Sequence, residues 1–255
     1  AAYGSAEELV ADPNVDAVIV ATMTDTHEEY TVLAANAGKH VLVEKPLLTT
    51  DGNELKQLQE LAEDNGAVCY TAYNHRFEPH IVRLKEILDS ERLGSVYSAR
   101  FFYGNGTARE VRDSWRDQGM GVLADLGSHL LDIVIFLFGR SARHFEAWSL
   151  GAYENRAYDH VHLGSQGIPL FQLEATLLSW RNSFTVDIIG ENGSAHMDCL
   201  CKWGPSTLTV RERVLPSGKP DEERFILECS DPTWEVEYRD FKERCRSVRS
   251  NIDND

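Results

Sequence analysis

Asp16-Ala17-Val18-Ile19-Val20-Ala21-Thr22 reads as a β-strand. Its apolar run is continuous rather than alternating, which predicts a strand buried on both faces. Upstream, Ser5-x-x-Glu8 has the spacing of a capping box and opens a short helix that ends near Pro13. Downstream, Thr26–Ala37 carries a helical pattern closed by Gly38. His40–Val43 is the next strand. Asp51 and Glu54 form a second capping arrangement, followed by Leu55, Leu58 and Leu61 at helical spacing and by Gly66 as a stop. Ala67–Thr71 is a third strand. Strand–helix–strand–helix–strand, with crossovers long enough for parallel pairing, is one half of a doubly wound nucleotide-binding sheet. The other half, with its first strand and glycine-rich turn, is not in these residues.

From about Tyr73 the pattern changes. A helix is predicted over Glu78–Ser90 and a strand over Val96–Tyr103. A polar, glycine-containing loop follows to Met120, then a very apolar helix through Phe138. Strand-like runs follow at His144–Leu150, Asp159–Leu163, Leu170–Leu178, Ser183–Ile189, Thr207–Val210 and Arg224–Glu228, with a last helix over Thr233–Val248. Successive strands with few helices predict a mostly antiparallel sheet. The fold class is α/β: a partial Rossmann-type parallel sheet over residues 1–74, then an α+β domain with a mostly antiparallel, open-faced sheet over residues 75–255.

The 255 residues include 25 Lys and Arg against 41 Asp and Glu, a formal charge of −16. Nucleic acid and anionic membrane surfaces would be repelled, whereas a small anionic ligand needs only one basic pocket. No run approaches the roughly 20 apolar residues of a bilayer span. The N-terminus has neither the basic nor the apolar region of a signal peptide. Cys69, Cys199, Cys201, Cys229 and Cys245 are odd in number and scattered, which reads as a reduced, cytoplasmic-type protein. Cys199-x-Cys201 has the look of a metal clip. Its segment alternates like a strand, however, and no second Cys or His pair follows, so no metal is expected.

The apolar helix VLADLGSHLLDIVIFLFG carries the most chemistry. At about 100° per residue, Asp125, Ser128, His129 and Asp132 share an arc of roughly 100°. The rest is Leu, Ile, Val or Phe, so these ionisable groups are predicted to be buried, paired or used. Asp125 and His129 stand at i, i+4, where a carboxylate can orient an imidazole for general acid–base work. A satisfied His–Asp pair in a domain interface fits the pattern equally well. Glu44-Lys45-Pro46 directly follows a strand, where ligands bind in open α/β sheets. Pro46 suits an unusual backbone geometry such as a cis bond. Ala21, Thr22, Thr24 and His27 lead from the first strand into a helix N-terminus, as cofactor contacts or as a plain cap. Tyr73-Asn74-His75-Arg76-Phe77 ends the third strand, as a further ligand-facing segment or as a polar linker. Gly119-Met-Gly121-Val-Leu-Ala124 satisfies G-x-G-x-x-A. It follows the polar DSWRDQ rather than a strand, so it is expected to ease the chain into the next helix.

In order and spacing, DAVIVATMTDTH, GKHVLVEKPL, YNHRFEP and GVLADLGSHLLD resemble the Gfo/Idh/MocA family of NAD(P)-dependent oxidoreductases, over about residues 5–200. Gly190-Glu-Asn-Gly193-Ser194 is similar to the family's turn between sheet strands. The resemblance implies a Rossmann domain, an open-faced sheet domain, and hydride transfer between NAD or NADP and a sugar, cyclitol or related hydroxyl-bearing substrate. By position, Lys45 matches the family's catalytic lysine, and Asp125 and His129 its substrate-side pair, with His129 as general base. Ala21, Thr22, Thr24 and His27 lie where the family approaches the dinucleotide. Glu44 lies near the nicotinamide ribose and Asn74 near the nicotinamide. Trp115-Arg116 matches a Trp–Arg pair of many members and is counted with the cofactor residues. Arg76 is counted with Lys45, Asp125 and His129 on the substrate side. A homo-oligomer through the C-terminal sheet is implied as well. A rival reading is a non-catalytic sugar- or nucleotide-sensing or oligomerisation protein on the same fold. The resemblance also implies that the missing first strand and glycine turn carry the pyrophosphate, so the chain is expected to be an N-terminally truncated fragment of a larger enzyme that binds NAD(P) weakly or not at all.

Overall fold

A computed structural model describes residues 2–47, 52–139 and 144–252. The chain divides into two units. One takes in the residues up to Tyr73 and those from Trp234 onward, and the other is Asn74–Thr233.

The first unit begins with α1 (Ala6–Ala11). The Ser5 side chain caps it by accepting from Glu8 N at 3.2 Å, and the Glu8 carboxylate accepts in turn from Gly4 N at 2.8 Å. β1 (Ala17–Val20), α2 (His27–Asn36), β2 (His40–Glu44), α3 (Gly52–Asp64) and β3 (Cys69–Ala72) follow. The strands are parallel in the order β1-β2-β3, with Val20 opposite Val43 and Glu44 opposite Ala72. Their carboxyl ends therefore share one edge of this sheet. Gly38 takes φ +67° just past α2, the left-handed position where a Cβ is disfavoured. Asp51 of the second capping arrangement lies outside the described residues.

Two expectations are corrected here. β1 is not buried on both faces: Ile19 is 58% exposed and only Val20 is buried, because β1 is the outermost strand among the described residues. β2 alone has the fully buried pattern, over His40–Val43. Secondly, α6 (Thr233–Ile252), assigned from sequence to the second domain, lies with the first unit from Trp234 onward. Phe241 is 2% exposed, with its ring 6.1 Å from that of Tyr70 on β3.

The second unit contains α4 (Pro79–Asp89), β4 (Val96–Gly104), a π-helical turn (Leu123–Gly127), α5 (Ser128–Phe138) and β5–β11. The later strands are β5 (Glu146–Gly151), β6 (His160–Gly164), β7 (Leu170–Thr176), β8 (Ser183–Gly190), β9 (Gly193–Asp198), β10 (Ser206–Glu212) and β11 (Glu222–Leu227). They form an eight-stranded sheet in the order β11-β10-β9-β8-β4-β7-β6-β5 among the described residues, antiparallel except for β4 against β7. Ile81 and Leu84 of α4 and Leu130, Ile133 and Val134 of α5 join Phe101, Phe184 and Val186 of the sheet in one core. Each such side chain gains roughly 1.5–3 kcal/mol from burial. The expected strand alternation at Cys199–Cys201 is not there. β9 ends at Asp198, Cys199 takes φ +68°, and Cys201–Trp203 is a 3-10 turn.

Candidate active site

The residues selected from sequence fall into two groups, one in each unit. In the first unit, β1 runs out at Val20, and exposed Ala21 and Thr22 lead to a short turn over Thr24–Thr26 and then to α2. Thr26 Oγ1 donates to Met23 O at 2.7 Å and stands 2.8 Å from Thr22 Oγ1, while Thr24 is buried. His27 is 2% exposed and bridges two strand ends. Its Nδ1 lies 3.1 Å from Pro46 O and its Nε2 lies 3.2 Å from Thr22 O. Carbonyls only accept, so a neutral ring donates to one of them and an imidazolium to both. The ring thus ties the segment after β1 to the turn after β2.

That second turn is Glu44-Lys45-Pro46, with a cis bond between Lys45 and Pro46. Lys45 stands one residue beyond the end of β2, on the sheet edge where all three strands terminate. Burial pushes the Glu44 carboxyl above its ordinary range, and the neighbouring Lys45 charge draws it part of the way back.

In the second unit, α5 and the π-helical turn before it carry Asp125, His129 and Asp132, which are 4%, 5% and 8% exposed. The π turn alters the angular spacing of Asp125 from that of a regular helix. Gly121 makes the entry possible. It has φ +53°, and a Cβ there would stand 2.2 Å from Tyr158 O. Asp125 Oδ2 lies 3.0 Å from Arg116 Nε. Arg116 comes from a turn whose Ser114 Oγ accepts from Arg116 N at 3.2 Å, and its guanidinium stands 5.3 Å from the Trp115 ring. Arg76 grips Asp132 with two nitrogens, Nε at 3.0 Å from Oδ2 and Nη2 on Oδ1. Burial raises the Asp132 carboxyl, and the Arg76 pair opposes that rise. Asn74 Nδ2 donates to Thr233 Oγ1 at 2.8 Å.

His129 sits in a ring of aromatic side chains. His75 packs on it with centroids 4.0 Å apart, and Tyr103 stands 5.4 Å from His75 and 6.2 Å from His129. Burial raises the Tyr103 phenol far above its usual value, and the Asp125 charge adds to the rise. Lys202 Nζ lies 3.0 Å from His75 Nε2. Buried Glu78 accepts from Cys201 N at 3.1 Å and from the Cys201 thiol at 3.2 Å. Burial raises the Glu78 carboxyl, and Cys201 and Lys202 act against that rise. A buried carboxylate paired with a half-exposed arginine, and a buried imidazole stack with an exposed lysine at its edge, can hold and move a proton.

Sequence reasoning left Lys202, Glu78 and Asp117 unassigned, and quoted His75 without a role. Asp117 accepts from Asp113 N at 3.1 Å, Arg156 N at 2.6 Å and Ala157 N at 3.4 Å. It thereby braces the turn that carries Trp115 and Arg116. Nothing local distinguishes these residues. They meet the cluster through the tertiary fold, and the one available signal was the density of polar side chains in YNHRFEP and around Trp115.

Residues 1–73 match the family model described as "Oxidoreductase family, NAD-binding Rossmann fold", and residues 81–196 match the "GFO/IDH/MocA C-terminal domain". The chain is similar to the scyllo-inositol 2-dehydrogenase (NADP(+)) IolW of Bacillus subtilis, 33% identical over 254 residues, covering 96% of this chain and 64% of that protein. It is 31% identical to the trans-1,2-dihydrobenzene-1,2-diol dehydrogenase of Sus scrofa, over 87% of this chain and 67% of that protein. Among solved structures, a levoglucosan dehydrogenase in complex with NADH and levoglucosan superposes with a TM-score of 0.74 at 25% identity, over 86% of this chain and 62% of that one. Against other curated relatives at 36% to 38% identity, the match spans only 37% to 39% of their length.

Proposed function

Because the chain belongs to the Gfo/Idh/MocA family of oxidoreductases, we propose that it serves hydride transfer between NAD or NADP and a ring-borne hydroxyl of a sugar, cyclitol or related diol. The names of the relatives in Bacillus subtilis and Sus scrofa, a cyclitol and a cyclic diol dehydrogenase, support that substrate class. The observation that carries a catalytic role is the set of buried proton-handling groups Asp125, His129 and His75, with Arg116 paired to Asp125.

The residues of the first unit fit the nicotinamide end of such a cofactor. Thr22, Glu44 and Lys45 cluster at the edge where three parallel strands end, with the backbone of their turns tied by His27. When bound, the nicotinamide supplies the hydride acceptor for the carbinol carbon. His129 takes the proton of the hydroxyl, and the Asp125 carboxylate nearby on the chain favours the imidazolium that results. Lys45 donates a hydrogen bond to the substrate oxygen and steadies its developing charge. Arg76 holds Asp132, and Arg116, beside the Trp115 ring, holds Asp125.

Lys45→Met keeps much of the apolar stem and removes the charge. With saturating cofactor and scyllo-inositol or levoglucosan as trial substrates, kcat and kcat/KM should fall together while the cofactor Kd moves little. A raised Kd with near-wild-type saturating kcat would reduce Lys45 to a cofactor anchor.

The same reading includes a homo-oligomer through the eight-stranded sheet. The face opposite α4 and α5 carries Arg100, Asp187, His196 and Thr209, with Trp148 and Ile226 45% and 64% exposed. Light scattering should give a multiple of the 28.7 kDa chain mass, and a monomer at all concentrations removes this part. The five cysteines are all free thiols, which supports a reducing, cytoplasmic compartment. Among the described residues no helix is long and apolar enough to cross a membrane.

A further inference from the structure

We propose that Lys202 and His75 form a positioning pair that keeps one imidazole of the His75–His129 stack neutral, so that His129 is the ring that takes up the proton. This rests on the reading of His129 as proton acceptor and adds to it what Lys202 and His75 do for that ring.

The geometry leaves little freedom. Lys202 Nζ lies 3.0 Å from His75 Nε2. An ammonium has three donors and no acceptor, so His75 Nε2 must present its lone pair. His75 is then the neutral ring whose single proton sits on Nδ1. Its ring lies against His129 with centroids 4.0 Å apart and planes tilted by 45°, and the two residues are 3% and 5% exposed. Two imidazolium rings at that separation, largely shielded from water, repel one another strongly. A lysine pinned to His75 removes that competition by making protonation of His75 the costlier choice.

The other charged and titratable groups around the stack come from every element packed on it. Tyr103 on β4 touches both rings and feels Asp125, which is paired with Arg116. Glu78, at the start of α4, feels the Lys202 charge and that of Asp231. Arg76, next to His75 in the chain, is committed to Asp132. Lys202 itself is an exposed residue on the turn over Cys201–Trp203, with Nζ 5.1 Å from the Trp203 ring, so its substitution leaves the core intact.

Long-range proton–nitrogen NMR of the ¹⁵N-labelled chain reads the tautomer and charge of each imidazole, with assignments from His75→Gln and His129→Gln. In the wild type, His75 should be the neutral Nδ1–H tautomer from about pH 5 to 8, the range in which a histidine ordinarily titrates. His129 should titrate in a single step. In Lys202→Met the two rings should share the proton, giving two coupled steps separated by about one pH unit or more. Lys202→Arg, which restores a cationic donor, should return the single step. An Nε2–H tautomer or an imidazolium at His75 in the wild type overturns the proposal, as does an unchanged single step at His129 in Lys202→Met. The outcomes separate from those of the functional reading because no turnover is involved. A lost NMR signature with kcat still dependent on His129 removes only the pair, and an intact signature in a chain without activity removes only the reaction.

Discussion

At the scale of single residues, carboxylates are held in opposite ways. Asp132 and Glu78 are raised by burial, whereas Asp117 is lowered, first by the N–H of Asp113 and then by those of Arg156 and Ala157. A lowered carboxyl contributes stability that is present above its ordinary value of 3.8 and is lost as the pH falls through its folded value. Asp117→Asn should therefore lower the urea midpoint at neutral pH, and the difference from wild type should shrink on acidification. An equal difference at neutral and acid pH would show that the charge of Asp117 is not what braces the turn. The helix residues Asp125, His129 and Asp132 were legible because four polar side chains on an otherwise apolar helix are conspicuous. Lys202 and Asp117 were not, since an exposed lysine and an aspartate in a polar loop look the same whether or not tertiary contacts recruit them.

At the scale of elements, helices and parallel strands followed the sequence closely because their periodicity and stops are local. β9 was missed for a physical reason. In Gly193–Asp198 the inward positions are only Ala195 and Met197, without the β-branched or aromatic residues that mark a strand. The π turn over Leu123–Gly127 was equally hidden, since its residues carry an unbroken helical pattern. Its entry is governed by Gly121. Gly119 and Gly121 have similar positive φ values, +55° and +53°, but a Cβ at 119 meets nothing within 4 Å, whereas one at 121 meets Tyr158 O at 2.2 Å. Gly119→Ala should cost only the left-handed conformation, about 1–2 kcal/mol. Gly121→Ala adds a backbone clash and should cost about 3 kcal/mol or more by denaturant unfolding. Equal losses would mean that the Tyr158 contact does not control the turn.

At the scale of the whole molecule, the chain leaves its first unit at Tyr73 and returns to it from Trp234 onward. The return could not be read from sequence, because α6 is amphipathic and its apolar face fits any open surface. What it covers is decided by packing, seen in the Phe241–Tyr70 contact. The net charge of −16 and the strand-end lysine are compatible for the reason visible in composition: one local cation suffices for a small ligand. The central claim is that His129 accepts the proton of a substrate hydroxyl. Its most direct test is saturating kcat for NAD(P) reduction, with scyllo-inositol and levoglucosan, in wild type and His129→Ala. Saturation matters, since weak cofactor affinity raises the concentration required rather than lowering kcat. The expected result is a loss of about 10²–10⁴-fold in kcat with the cofactor Kd nearly unchanged. An unaltered kcat in His129→Ala would contradict it.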